Sequence, residues 1–255
     1  MIDIHCHMLP AVDDGAQSLE EALALARACA ADGIRHVVLT PHVFPGRFDN
    51  LRSSIAQQFA QFTALPEVLQ LPLSFSWAGE VRLAAEALAL LDSDELPFLG
   101  QSDGMHNLLL EMPDGQVPLG AETLVARLLG RGIRPVIVHP ERNRGVMSKP
   151  ERIRPFVEAG CLLQVTAGSL VGQFGERANA VARTLLDQGW VSAVASDSHN
   201  LKGRRPLMRA ARRALVADYG PAAAFALLAG TPAALCGLPA PPPWRLQEAG
   251  VDSVV

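Results

Sequence analysis

Two histidines, His5 and His7, stand one residue apart near the start of the chain, within and just after a short apolar run. If residues 2–6 form a strand, its side chains alternate between two faces, so both imidazoles share one face, opposite Cys6. Imidazole is the commonest metal ligand in proteins. The pair is therefore a candidate metal site, although an isolated pair of this kind is weak evidence and needs further ligands elsewhere.

Further chemically active side chains follow other short apolar runs, where predicted strands end. They are Asp13 and Asp14 after the first run, and then His42, Glu80, Glu111, His139, Arg142, Asp197 and His199. Each alone could be a helix cap, a turn residue or a buried histidine bonded to a carbonyl. Because these ordinary explanations would have to hold independently at six strand ends, we favour one shared site. His36 and His106 lie away from strand ends and are predicted to be structural or exposed.

A repeated unit of helix, glycine and apolar run must position these side chains. Residues 18–33 predict a helix, because Ser18 and Glu21 form a capping box and Gly33 suits the left-handed residue after a helix. The same junction recurs at Gly132, Gly160 and Gly189. Such alternation is typical of buried parallel strands joined by helices.

Seven strands are predicted, with ends near residues 7, 42, 80, 111, 139, 166 and 197. We favour a closed or nearly closed α/β barrel of seven strands in a single domain, and a doubly wound open sheet is the alternative. In a βα barrel the functional groups collect at the carboxyl ends of the strands. The predicted site therefore lies on that face.

Composition limits the classes of function. The 255 residues are 49% apolar, which suits one domain with a large core, and the net charge of −4 argues against nucleic-acid binding through a basic face. We expect no signal peptide and no membrane insertion, and the four scattered cysteines suit a reduced, cytoplasmic protein. Residues 239–255 form a Pro-rich tail in which Trp244 is a candidate contact with the body.

Several carboxylates in one site would repel each other unless cations lie between them. Mixed imidazole and carboxylate ligands suit Mn, Fe or Zn. The candidate ligands exceed what one ion uses, so two to three divalent ions are predicted, with Glu80 as a candidate bridge. The set comprises His5, His7, Asp14, His42, Glu80, Glu111, His139, Asp197 and His199.

In this order, these residues resemble the PHP (polymerase and histidinol phosphatase) superfamily over residues 1 to about 238. More narrowly, three segments resemble the bacterial metal-dependent protein-tyrosine phosphatases of capsule and exopolysaccharide operons. They read "MIDIHCHMLPAVDDGAQSLEEAL", "HPER" and "SDSHNLKGR". The resemblance implies a PHP-type metallophosphatase domain at 1–238, built as a distorted seven-stranded (β/α)7 barrel with Mn as the usual metal.

The resemblance also implies roles for individual residues. The first metal would be bound by His5, His7, Glu80 and Asp197, the second by Glu80, Glu111 and His139, and the third by Asp14, His42 and His199. Arg142 and Arg204 would hold the phosphate. Two alternatives stay open, since Asp13 could replace Asp14 and Arg205 could replace Arg204.

The expected activity is metal-dependent hydrolysis of a phosphomonoester, with the phosphotyrosine tail of a bacterial tyrosine kinase as the substrate. A small-molecule phosphatase, such as a histidinol-phosphate phosphatase, is the alternative, because metal chemistry does not separate the two. The loop "VFPGRFDN" after His42 is a candidate determinant of substrate choice. The sequence leaves the oligomeric state open, a homo-oligomer included.

Overall fold

The structure, a computed structural model, describes residues 1–242 and Trp244, so most of the Pro-rich tail lies outside the described residues. This part of the chain contains ten strands. They are β1 (Ile2–Cys6), β2 (His36–Leu39), β3 (His42–Val43), β4 (Ser74–Trp77), β5 (Glu80–Arg82), β6 (Gly100–Ser102), β7 (Met105–Glu111), β8 (Ile133–Val138), β9 (Leu162–Thr166) and β10 (Val191–Ala195).

Helices connect most of these strands. They are α1 (Leu19–Ala31), α2 (Arg52–Thr63), α3 (Pro66–Leu69), α4 (Glu86–Asp92), α5 (Ala121–Leu129), α6 (Arg144–Ser148), α7 (Arg154–Glu158), α8 (Ala167–Leu170), α9 (Gly175–Asp187), α10 (Met208–Phe225) and α11 (Thr231–Leu235). As predicted, Ser18 caps α1 by accepting a hydrogen bond from the backbone of Glu21, and Gly33 follows with a positive φ of 88°.

The strands form two sheets whose pairs are parallel, except that β6 runs antiparallel to β7. The order is β1-β2-β4 in the smaller sheet and β10-β9-β8-β7-β5-β3 in the larger. Strand neighbours therefore follow chain order, which does not fit a doubly wound sheet, where the order reverses at a switch point. The backbone N–H of Asp197 donates to His5 at 2.8 Å, so the end of β10 also meets β1.

The prediction of a closed or nearly closed barrel of seven strands is not confirmed. Two predicted strands are each divided, since Thr40 and Pro41 separate β2 from β3, and a similar break separates β4 from β5. Pro41 has no backbone N–H to donate to a ladder. At the second break, a Cβ on Gly79 would lie 2.4 Å from Pro97, so glycine allows this close approach.

Two buried apolar clusters fix the strands in place. The larger packs the helices on the sheets, and Ala22, Leu25 and Cys29 of α1 belong to it. The smaller joins strand residues to α11 and includes Ile4, Val38, Leu109, Val136, Ala193 and Leu235. The sheets are thus apolar on both faces along most of their length, as parallel sheets generally are. Polar groups are left for the carboxyl ends.

The segment Met208–Leu235 is apolar and long enough for a membrane span by length and composition alone. Its helical geometry is interrupted at Gly220, before Pro221, and Met208 and Leu215 are buried in the larger cluster. Trp244 packs edge-on against Phe225, with a ring separation of 5.4 Å. The predicted contact between Trp244 and the body of the protein is therefore present.

Candidate metal centre

All nine predicted ligands lie at or just beyond the carboxyl ends of strands or in the short segments that continue them. His5 lies in β1 and His7 directly follows this strand. His42 is the first residue of β3, Glu80 is the first residue of β5, and Glu111 is the last residue of β7. His139 follows β8, and Asp197 and His199 follow β10. Asp14 lies in the loop after β1. His139 and Asp197 adopt positive φ values of 36° and 50°, uncommon for residues with a Cβ and typical of functional sites.

The first group of donor atoms is completely enclosed by the protein. Nε2 of His5 lies 3.1 Å from Nε2 of His7. Oε2 of Glu80 is 3.4 Å from His5 and 3.3 Å from His7, and Oδ1 of Asp197 is 3.4 Å from both imidazole nitrogens. Two imidazoles and two carboxylates thus converge on one point, a donor set that suits a divalent transition metal.

The second group shares Glu80 with the first. Oε1 of Glu80 lies 2.7 Å from Nε2 of His139, while Oε2 lies 2.8 Å from Nδ1 of His42. Oε2 of Glu111 is 3.9 Å from the same His42 nitrogen. Because its two oxygens point to different donors, Glu80 has the arrangement of a bridging carboxylate.

The third group contains Asp14. Its Oδ1 lies 3.3 Å from Nε2 of His42 and 3.4 Å from Nε2 of His199. The neighbouring Asp13 instead accepts hydrogen bonds from Nδ1 of His7 at 2.7 Å and from the backbone N–H groups of His42 and Gly15. Of the two aspartates, Asp14 therefore faces the donor cluster, and Asp13 supports it from behind.

Unpartnered buried atoms show that these residues fit metal ions. Glu80 Oε2, Asp197 Oδ1 and His199 Nε2 lie within ion-pair distance of neighbouring donors, but none of them forms a well-aligned hydrogen bond among the described residues. Leaving a buried polar atom without a partner costs about 1–3 kcal/mol, and more when it is charged. All three atoms point into the donor groups, where a divalent cation would satisfy them.

The pKa values of four candidate ligands are raised, those of His5, His7, His42 and Glu111. Burial and the nearby carboxylate of Glu80 raise the pKa of Glu111 to about 7. Burial lowers the pKa of His42, but the charge of Glu80 and hydrogen bonds to carboxylates outweigh this effect and raise it to about 10. Without a metal, His42 is thus protonated at neutral pH.

The pKa values of two other imidazoles are lowered. Burial and the positive charge of Arg142 lower the pKa of His139 to about 4. Burial and the charge of His7 lower the pKa of His199 to about 4 as well. Both rings are therefore neutral at pH 7, which is the state that metal coordination requires.

Both predicted phosphate-binding arginines reach this centre. Arg142 and Arg204 donate hydrogen bonds to the same oxygen, Oδ2 of Asp197, and the Arg204 bond is 2.6 Å long. They also line a cavity of about 150 Å³ together with His42 and Glu111. Arg205 is exposed, so Arg204 is the inward residue of the pair.

Sequence analysis missed several residues of the site. Arg82 forms an ion pair with Glu111 at 3.0 Å, and Gln164 Oε1 lies 2.8 Å from Nδ1 of His5. Period-2 alternation could have found Arg82, since it shares a strand face with Glu80 two residues earlier. A glutamine inside the apolar strand β9 was also a signal. Asp114 also lines the cavity, without a sequence pattern that marks it, and so do Phe44, Arg47 and Phe48 of the loop predicted to influence substrate choice.

His36 and His106 lie apart from the donor groups. The two ring nitrogens of His36 are each 2.8 Å from a serine hydroxyl of β4, on Ser74 and Ser76. The ring of His106 stacks on Phe98 with a centroid separation of 4.8 Å. These contacts agree with the structural roles predicted for both histidines.

Fold and site together define an α/β protein with a candidate metal centre of imidazoles and carboxylates, bordered by arginines. The family described as "Capsular polysaccharide synthesis, CpsB/CapC" matches residues 1–236, and the chain belongs to this family. The chain is 36% identical over 220 residues to tyrosine-protein phosphatase YwqE of Bacillus subtilis strain 168, covering 86% of this chain and 85% of YwqE.

A second relative and a solved structure extend the similarity. Tyrosine-protein phosphatase CpsB of Streptococcus pneumoniae is 32% identical over 237 residues, which cover 91% of this chain and 96% of CpsB. A crystal structure from work on B. subtilis YwqE and S. pneumoniae CpsB, described as unique metal-dependent tyrosine phosphatases, superposes with a TM-score of 0.85. It is 33% identical, covers 96% of this chain and is itself covered completely, at 100%.

Proposed function

We propose that this protein is a metal-dependent tyrosine phosphatase, which hydrolyses the phosphomonoester of phosphotyrosine in a protein. One observation carries the proposal: four of the imidazole and carboxylate donors, Asp14, His42, Glu111 and His139, line one cavity with Arg142 and Arg204. Cations and guanidinium groups together suit a phosphate dianion. The activity named for the relatives YwqE and CpsB agrees with this chemistry.

Two to three divalent ions, with Mn as the favoured metal, would occupy the three donor groups. As the resemblance implies, the first would be held by His5, His7, Glu80 and Asp197, the second by Glu80, Glu111 and His139, and the third by Asp14, His42 and His199. In the structure, His42 also lies with Glu80 and Glu111, between the second and third groups. When bound, such ions lower the pKa of coordinated water and offset charge on the phosphoryl group. The thiolate-free donor set suits Mn, Fe or Zn, and the resemblance to the metal-dependent phosphatases favours Mn among them.

The protein's own side chains position these donors and the substrate. Asp13 and Gln164 hold the rings of His7 and His5 through their Nδ1 atoms, so that both Nε2 atoms face the centre. The planar guanidinium groups of Arg142 and Arg204 would bind phosphoryl oxygens with paired donors. Hydrolysis breaks the P–O bond to the phenol, and a phenolate leaves easily, so protonation of the leaving oxygen contributes little.

We further infer that the chain is arranged as a distorted seven-stranded (β/α)7 barrel over residues 1–238. In this arrangement β2 with β3, and β4 with β5, each count as one broken strand. The bridge between Cys6 and Ser198, which links the ends of β1 and β10, supports this arrangement. A barrel would explain why ligands from six of the seven strand units reach one site.

The substrate we propose is the phosphotyrosine tail of a bacterial tyrosine kinase that acts in capsule or exopolysaccharide synthesis, in the cytoplasm. The family's description and the names of the relatives support this assignment. A flexible tail is also favoured by the geometry, because the phosphate has to reach a small cavity beside buried donors.

A substrate panel tests the proposal. The purified protein, supplied with Mn²⁺, is assayed with a phosphotyrosine peptide, a phosphoserine peptide of the same sequence and histidinol phosphate. We expect the highest kcat/KM for the phosphotyrosine peptide. A much higher kcat/KM for histidinol phosphate would reassign the protein as a small-molecule phosphatase, and turnover of none of the three would contradict phosphatase activity.

A further inference from the structure

A short hairpin, residues 44–48, stands at the rim of the cavity. Its two ends pair through the backbone, since the N–H of Phe44 donates to Phe48 at 2.9 Å and the N–H of Phe48 donates back at 2.8 Å. Gly46 has a φ of 81° at the turn, and its N–H donates to Asp49. The hairpin is therefore largely preformed.

The base of this hairpin is tied to the metal centre. The side-chain amide of Asn50 donates to the carbonyls of Val12 and His42, at 3.0 and 2.8 Å. The ring of Phe48 stacks on the imidazole of His42, with a centroid separation of 5.3 Å and an interplanar angle of 9°. Any peptide that delivers a phosphate to the cavity would meet this fixed rim.

Arg47 differs from the other arginines that line the cavity. Arg142 and Arg204 pair with Asp197, and Arg82 pairs with Glu111. Arg47 is exposed and lies over the ring of Phe48, with 5.1 Å from its guanidinium carbon to the ring centre. Within the described residues no carboxylate forms an ion pair with it, because Asp49 is engaged by the turn. Its charge is therefore available to a ligand.

The arginines that line the cavity follow different strands. Arg142 follows β8, Arg204 follows β10, and the hairpin follows β3, which lies at the edge of the larger sheet opposite β10. If Arg142 and Arg204 hold the phosphate, Arg47 remains free to bind the substrate residues that flank the phosphotyrosine. The rim is not uniformly basic, since Asp114 after β7 also lines the cavity. Beside the hairpin, the positive charge of Arg47 thus favours a negatively charged residue of the substrate.

We propose that the hairpin of residues 44–48 selects substrates that carry an acidic residue beside the phosphotyrosine, with Arg47 binding that carboxylate. The inference rests on the proposed tyrosine phosphatase activity and adds a specificity determinant to it. A guanidinium offers a carboxylate two parallel hydrogen bonds. Because the site is exposed, the gain is that of a surface ion pair, about 2- to 5-fold in kcat/KM, and salt reduces it.

Three matched phosphotyrosine peptides test the proposal, with Glu, Gln or Lys at the positions next to the phosphotyrosine. For the Mn²⁺-loaded wild type we expect kcat/KM to be about 2- to 5-fold higher with Glu than with Gln, and this ratio to shrink in high salt. Arg47→Ala should bring the ratio close to one, and Arg47→Glu should favour the Lys peptide. Arg27→Ala, an exposed change on α1, should keep the wild-type ratio.

The outcomes separate the two proposals. If the wild type hydrolyses all three peptides with equal kcat/KM, or if Arg47→Glu still prefers the Glu peptide, the role of Arg47 is wrong and the phosphatase activity stands. If the metal-loaded wild type hydrolyses none of them, the proposed function fails and this inference fails with it. Because Arg47 is exposed, thermal melting is expected to show that its variants are folded.

Discussion

The carboxylate of Asp13 lies 2.7 Å from Nδ1 of His7 and leaves Nε2 of that ring facing the donor atoms of the first group. Such carboxylate–imidazole pairs orient metal ligands and increase their basicity. The positive charge of His7 also lowers the pKa of Asp13, despite the opposing effect of burial. Two adjacent aspartates therefore have different tasks, because Asp14 points to His42 and His199.

Asp13→Ala removes this support without removing a donor to metal. We expect metal affinity to fall by roughly 10- to 100-fold, the usual effect of losing such a hydrogen-bond partner. Asp13→Asn should retain part of the affinity, since its side-chain oxygen can still accept from Nδ1. Metal titration of the metal-free variants checks this result. Wild-type affinity in Asp13→Ala would show that His7 is oriented by other contacts.

The residue types and their order allowed the candidate ligands to be predicted, because each stands where an apolar run ends. The choice between Asp13 and Asp14 did not follow from sequence, since two adjacent carboxylates differ only in the conformation of their loop. The same limit applied to Arg204 and Arg205. Only the structure shows which side chain of each pair turns inwards.

The fold was predictable as alternating helices and parallel strands, but its details were not. Strands occur at the seven predicted positions, although the seven-stranded barrel is not confirmed, and Pro41 and the close contact at Gly79 coincide with breaks in two of these strands. The antiparallel strand β6 was missed, because the sequence "GQS" at 100–102 carries no apolar alternation. Tertiary pairing with β7, and not local propensity, creates that strand.

Removing either inward arginine should impair catalysis without loss of metal. We expect Arg142→Ala and Arg204→Ala each to lower kcat/KM for a phosphotyrosine peptide by roughly 100-fold, on the scale of losing one preorganised donor. Lysine at either position should recover part of the lost activity, because it keeps the positive charge but lacks the planar guanidinium group that donates paired hydrogen bonds.

Arg205→Ala is the matched control for the arginine series, since Arg205 is exposed beside Arg204. Its kcat/KM should stay near that of the wild type. Steady-state kinetics, together with elemental analysis of each variant, distinguishes the cases. If Arg205→Ala severely lowers kcat/KM and Arg204→Ala leaves it unchanged, the inward residue has been misassigned.

Metal binding should release protons from the metal-free protein. His42, with a pKa raised to about 10, carries a proton at pH 8, and coordination requires the neutral ring. Metal affinity should therefore rise with pH towards that value. Calorimetric titration with Mn²⁺ in two buffers of different ionisation enthalpy measures the released protons. Equal heats in both buffers would indicate that metal binding displaces no proton from the imidazoles of the centre whose pKa values are raised, those of His42, His5 and His7.

Two histidines with different roles give a further contrast. His139→Ala removes a proposed ligand, so metal content and turnover should fall while the fold is retained. His36→Ala removes hydrogen bonds to Ser74 and Ser76, so the free energy of unfolding should fall by about 1–3 kcal/mol with full metal content. Elemental analysis and denaturant titration compare the two, and full metal content in His139→Ala would disprove its assignment.

The central claim is that a metal bound by these residues is required to hydrolyse phosphotyrosine. The most direct measurement is turnover of one phosphotyrosine peptide by the same preparation before chelation, after chelation and after addition of Mn²⁺, with metal content determined by elemental analysis each time. We expect turnover to vanish when two to three ions per chain are removed and to return with Mn²⁺. Undiminished turnover by protein shown to be free of metal would contradict the claim.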